Sequence, residues 1–107
     1  MIYSLFFLPE LEEDSVKGYF WYEEKGIGLG EDFLRIFYAL SEEIRRNPLV
    51  YKTVYKDFRR CLLKRFPYAI YYRVDKDKVI VYGLFHCARN PKTLKRGLST
   101  RKRNNPE

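Results

Sequence analysis

The hydrophobic positions of this chain change period twice. Ile2 to Phe7 is apolar on both faces, of strand length, and stops ahead of Pro9, which predicts a short first strand. From Glu10 the spacing becomes helical. Leu11, Ser15, Gly18 and Tyr22 share one side of a segment whose first turns carry Glu10, Glu12, Glu13 and Asp14, where carboxylates complement the positive end of a helix. The three glycines of KGIGLGED mark a turn. A second helix follows, with Phe33, Ile36, Phe37, Leu40 and Ile44 at i, i+3, i+4, i+7 and i+11. Arg45 and Arg46 occupy its negative end, and Asn47-Pro48 stops it. Helices over about 10–25 and 31–46 joined by a glycine turn predict an antiparallel hairpin.

After a loop through Tyr55 the period becomes two. Tyr68, Ile70, Tyr72 and Val74 alternate with Ala69, Tyr71 and Arg73; a polar turn follows at Asp75–Lys78, and the chain returns from Val79 to His86. On this alternation Val79, Val81, Gly83 and Phe85 share one face, and Ile80, Tyr82, Leu84 and His86 the other. Strands are expected at 58–65, 68–75 and 78–86, apolar on both faces and covered on one side by the helices. The outline is β-α-α-β-β-β, an α+β domain in which the helical hairpin packs on a small, mainly antiparallel sheet. The core is expected to hold Phe33, Ile36, Phe37, Leu40, Ile70, Val79 and Val81. Residues 1–98 form the domain, and the polar, basic stretch 99–107 shows no pattern that would order it.

At 107 residues, 46% hydrophobic and 18% aromatic, the chain is one small domain with a modest core, and disorder is excluded by its apolar content. Charge is unevenly spread. Residues 1–44 carry ten acids against three bases, whereas residues 45–107 carry four acids against eighteen bases, so the halves stand at −7 and +14. The C-terminal half is built to attract polyanions: RNA, a nucleic-acid machine or an acidic polypeptide. No segment approaches the ~20 apolar residues of a spanning helix, the first residues lack a basic leader pattern, and Cys61 and Cys87 do not suggest a disulfide framework. A reduced, cytoplasmic protein that needs no cofactor and contacts no membrane is expected.

The candidate chemistry lies between Arg59 and Pro91. Arg59, Arg60, Lys64 and Arg65 precede the strand pair, and His86, the only histidine, ends it ahead of Arg89. Metal-free RNA cleavage needs a proton acceptor, an acid, and cations for the charge developing on phosphate. His86 has the reference pKa for proton transfer, and Arg89 the charge. The same cations equally suit an acidic docking partner. A metal reading is disfavoured: His86 and Cys87 are adjacent on a strand and point to opposite faces, and Asp75 and Asp77 fit a solvated turn.

In order and spacing, WYEEKGIGLGEDFL, a helix ending in RRNP, RRCLLKRFPYAIYYRV and HCARNP resemble the RelE/ParE superfamily of type II toxin–antitoxin toxins, in the ParE-like or plasmid-stabilisation branch. The resemblance implies a compact growth-inhibiting toxin, neutralised by a cognate antitoxin that wraps it with a helix and an extended segment in a toxin–antitoxin hetero-oligomer. It implies one of two targets. ParE-like members poison DNA gyrase; RelE-like members are endoribonucleases that cut mRNA on the ribosome. The second would make His86 and Arg89 catalytic. The first needs a target- or phosphate-binding surface, for which Arg59, Arg60, Lys64, Arg65 and Arg89 are the candidates. The RelE pattern carries an arginine where Ala69 stands, with Arg73 displaced along the strand, and a C-terminal tyrosine near Leu94. Those departures favour the ParE-like branch.

Overall fold

The computed structural model describes residues 2–105. Its elements run β1 (Ser4–Phe7), α1 (Glu10–Glu23), α2 (Leu29–Arg46), β2 (Thr53–Tyr55), β3 (Phe58–Leu62), β4 (Tyr68–Asp75), β5 (Lys78–His86) and α3 (Pro91–Asn104). One five-stranded sheet has the order β1-β5-β4-β3-β2. Strands β2 to β5 pair antiparallel, and β1 joins β5 in parallel, with Ser4 opposite Lys78.

The helical hairpin forms as the spacing predicts. α1 buries Leu11, Ser15, Gly18 and Tyr22, and α2 buries Phe33, Phe37, Leu40 and Ile44, while Ile36 at the margin of that stripe is half-buried. The two helices approach closely at Gly18, where an added Cβ would lie 2.3 Å from the Phe33 ring. Gly28 turns the chain with φ of 89°, a conformation natural to glycine. No side chain at the helix start caps α2. Glu23 does this from the end of α1: its carboxylate accepts from the backbone N–H of Gly28 at 3.1 Å and of Gly30 at 3.0 Å.

An aromatic cluster joins hairpin to sheet. Tyr22 lies 4.5 Å from Phe66 and Phe33 lies 4.9 Å from Tyr68, measured between ring centroids. Beyond it, the buried Tyr72 hydroxyl donates to the Pro48 carbonyl and so fixes the loop that leaves α2.

Five expectations are corrected. The loop through Tyr55 contains the outer strand β2, and β3 ends at Leu62 because the chain turns through Phe66-Pro67 to reach β4. The alternation along β5 is broken: Tyr71 faces Gly83 but Tyr72 faces Val81, so Tyr82 is an extra, bulged residue. The sheet is also covered on both sides. The stretch from residue 99 is not an unordered tail, since residues 99–104 continue α3 and Leu98 within it is fully buried; residues 106 and 107 lie outside the described region. The physical reason is a cap and an anchor. Asn90 Oδ1 accepts from Lys92 N at 2.8 Å and Thr93 N at 3.4 Å, Pro91 follows at the first position, and Leu98 enters the core.

Candidate functional site: the cleft at the end of β5

The HCARNP segment ends a strand, turns and starts a helix within six residues. At the turn, His86 Nδ1 accepts from Ala88 N at 3.0 Å, and the His86 carbonyl accepts from Arg89 N at 3.1 Å. With Nδ1 accepting, the neutral imidazole carries its proton on Nε2. The ring packs edge-on against Tyr68 at 5.2 Å, so the aromatic cluster beneath the hairpin orients it. Burial, with the nearby Asp14, raises the Tyr68 pKa and keeps its hydroxyl protonated.

His86 and Arg89 border a cleft of about 500 Å³ that Glu13, Lys17, Tyr68 and Arg101 also line. Its floor is an arrangement absent from the sequence reading. Asp14 accepts from Arg101 through two hydrogen bonds, at 2.7 and 3.0 Å, and from the backbone N–H of Leu84 at 3.1 Å. Arg101 also donates to the Tyr82 carbonyl at 2.8 Å. The bulged stretch of β5 is thus satisfied by one carboxylate and one guanidinium. Arg101 and Arg89 both lie over the Phe85 ring, 4.7 and 4.4 Å from its centroid.

Charge in the cleft is largely cancelled. Asp14 pairs with Arg101, and Glu13 with Lys17 at 3.0 Å. Arg89 forms no ion pair among the described residues and is the cation left over.

Of the other expected site residues, Arg59, Lys64 and Arg65 lie apart from this cleft, and only Arg60 shares a groove with His86 and Arg89. Arg59 is half-buried and donates to the carbonyls of Leu49 and Tyr51, tying β3 to the loop after α2. Arg65 stands 3.8 Å from Asp32 and over the Phe66 ring. Lys64 borders a groove beside β2, and Arg60 lines both that groove and a smaller one under α3 that reaches His86 and Arg89. Ala69 is buried opposite Phe85, leaving no room there for an arginine. Cys61 is buried and Cys87 exposed, both as free thiols. Burial pushes the Cys61 thiol up; burial and the hydrogen bond to Cys61 push Tyr51 to about 12.

Lys17, Tyr68, Asp14 and Arg101 are the cleft residues that sequence reasoning missed. The signal for α3 was present in Asn90-Pro91 and in the i, i+4 pair Leu94 and Leu98.

The family described as ParE toxin of type II toxin-antitoxin system, parDE, matches residues 5–91. The chain belongs to the ParE toxin family. A solved structure titled "Chromosomal ParDE TA system from P. aeruginosa" shares this toxin's fold with a TM-score of 0.65 at 14% identity, covering 79% of this chain and 96% of that one. No curated protein sequence matches. This ParE toxin is therefore the toxin component of a type II toxin–antitoxin system, and a cognate antitoxin is its partner. The family match ends at Pro91, the first residue of α3, so almost all of that helix lies beyond it. Among the described residues no helix is long and apolar enough to cross a membrane.

Proposed function

We propose that this ParE toxin arrests growth in the cytoplasm by binding DNA gyrase, and that it does so through its surface, without cleaving RNA. The observation that carries this reading is the dispersal of the expected cations. Of the two catalytic candidates and the four further phosphate-binding candidates, only His86 and Arg89 border the cleft, where the remaining charges are paired off, and only Arg60 shares the smaller groove under α3 with them. Phosphoryl transfer without a metal needs several cations converging on one phosphate, whereas a poison that traps an enzyme needs a recognition surface.

For neutralisation we assign the antitoxin's helix to the groove between α1, α2 and β1, about 560 Å³ in volume and lined by Phe7, Val16, Phe20, Leu34 and Tyr38. Phe20 and Tyr38 there expose 58% and 53% of their surface, which suits the apolar face of an amphipathic helix. The product is a toxin–antitoxin hetero-oligomer.

One observation favours ribosome-dependent mRNA cleavage as the second reading: His86, Arg89, Lys17 and Tyr68 do share a cleft. Adding purified toxin to a gyrase supercoiling reaction and to a translating extract separates the two. Lost supercoiling with cleaved plasmid trapped, and intact mRNA, is the expected result. Cleaved mRNA with untouched supercoiling would establish the second reading instead.

A further inference from the structure

At the sheet edge opposite the hairpin groove lies a second apolar surface, built on β2. As an outer strand, β2 has no strand partner on its outward side among the described residues. Around it Leu49, Val50, Val54 and Leu62 expose 59, 66, 42 and 53% of their surface. Val54 and Leu62 line a groove of about 440 Å³. Its cations are Lys52, Arg60 and Lys64, none of them in an ion pair among the described residues, and Glu43 is the one carboxylate in its lining.

These residues form a pattern. Thr53 pairs with Arg59, and the pairing continues where Arg60 N donates to the Lys52 carbonyl at 3.2 Å. Alternation then places Lys52 on the face of the β2–β3 pair that carries Arg60 and Leu62, and Val54, at the register shift between Thr53 and Tyr55, lines the same groove as all three. Each strand presents a cation beside an aliphatic side chain.

We propose that this β2 edge is the surface that grips the toxin's target, and that it receives an extended acidic polypeptide segment with interspersed apolar residues, laid alongside β2 as an added strand. The proposal rests on the reading of this toxin as a binder of a target protein. Main-chain hydrogen bonds to an open edge supply affinity, and alternating side chains supply selection. Acidic side chains meet Lys52 and Arg60; apolar ones lean on Val54 and Leu62. Cations alone would suit a nucleic acid equally, but the exposed anchors here are aliphatic, and Tyr51, the one ring in the groove's lining, is half-buried and packed edge-on to Tyr72, which leaves no open ring on which a base stacks. The antitoxin's helix is assigned to the groove at the β1 end, the far side of the sheet from β2.

Two surface double variants of the full chain test the proposal, Val54→Ser with Leu62→Ser and Lys52→Glu with Arg60→Glu. Each is expected to raise the dose needed for growth arrest, and for inhibition of supercoiling, by about tenfold or more. Capture of the co-expressed antitoxin should stay within about twofold of the unmodified toxin, which also reports that the fold is kept. Growth arrest at the unmodified dose by either variant overturns the proposal. Loss confined to the charge variant overturns it in favour of a nucleic-acid partner, and loss of antitoxin capture by folded variants makes the edge an antitoxin site. If the unmodified toxin arrests growth but leaves supercoiling untouched, the gyrase reading fails alone, and the growth dose still decides the role of the edge.

Discussion

Asp14 of α1 and Arg101 of α3 meet through two hydrogen bonds across the bulged stretch of β5, with only 9% and 18% of their side-chain surface exposed. The pair couples the first helix to the last and supplies hydrogen-bond partners to Leu84 and Tyr82. Removing either member leaves the other charged and largely buried. Arg101→Met and Asp14→Asn should each cost about 2–4 kcal/mol, toward the low end of buried pairs because Arg101 still reaches water. A double-mutant cycle in urea should return a coupling above ~1 kcal/mol; additive losses would show that the two side chains do not stabilise the fold as a pair. Truncation after Leu98 should likewise destabilise the domain.

Glu23 is the second such contact. Because its carboxylate provides the acceptors for the amides of Gly28 and Gly30, Glu23→Ala should destabilise the protein by about 1–2 kcal/mol, comparable to losing a strong helix cap. That lowers the melting temperature by roughly 4–8 °C for each kcal/mol in a domain near this size. Glu23→Gln keeps one acceptor oxygen and should recover part of the loss. A melting curve unchanged by Glu23→Ala would mean that the glycine turn holds its shape unaided.

His86→Gln keeps polarity and removes proton transfer near neutral pH. On the gyrase reading, growth arrest should persist within about twofold, whereas an RNase should lose about 10²-fold or more of its cleavage. Dose–response curves from a titratable promoter measure this directly.

Arg59→Ala should act on the fold before it acts on any target, since the guanidinium holds the loop carbonyls of Leu49 and Tyr51. An expected loss of about 1–2 kcal/mol is read from urea unfolding. If Arg59→Ala melts like the unmodified toxin yet no longer arrests growth, Arg59 belongs to the target surface.

Asp57 gives the protein a defined acid dependence. Burial opposes its ionisation, but Arg73 at 2.8 Å, with help from Lys102, holds the carboxyl below its ordinary 3.8. A depressed carboxylate pKa stabilises the fold fully above the unfolded value, and that contribution is lost as pH falls through the folded one. The melting difference between the unmodified toxin and Asp57→Asn should therefore be present at about pH 7 and shrink below about pH 4. A difference that grows on acidification would reverse the sign. The side chain is half exposed, so the effect is small.

The hairpin was legible because its information is local. The stripes of α1 and α2 repeat on one face, and the residues they mark are those that pack. α3 was hidden by its composition: basic residues mask a single buried leucine, and the partner of Arg101 lies 87 positions away. β2 is three residues long, too short for a period to register. The bulge at Tyr82 follows from how two strands meet, which neither strand announces. The closeness of His86 and Arg89 could be read from a tight turn, but Lys17 and Tyr68 join them only through packing.

The parallel ladder between β1 and β5 also has a consequence in time. Ser4 cannot find Lys78 until the ribosome has added the 74 residues from Leu5 through Lys78, roughly 4 to 15 s at about 5–20 residues per second. During that interval the nascent chain has no finished sheet, since its first strand waits for its last. Maturation is thus gated by translation itself: a ribosome that stalls early leaves behind a fragment without a completed fold, and each harmful copy arises only after the codons of β5 have been read.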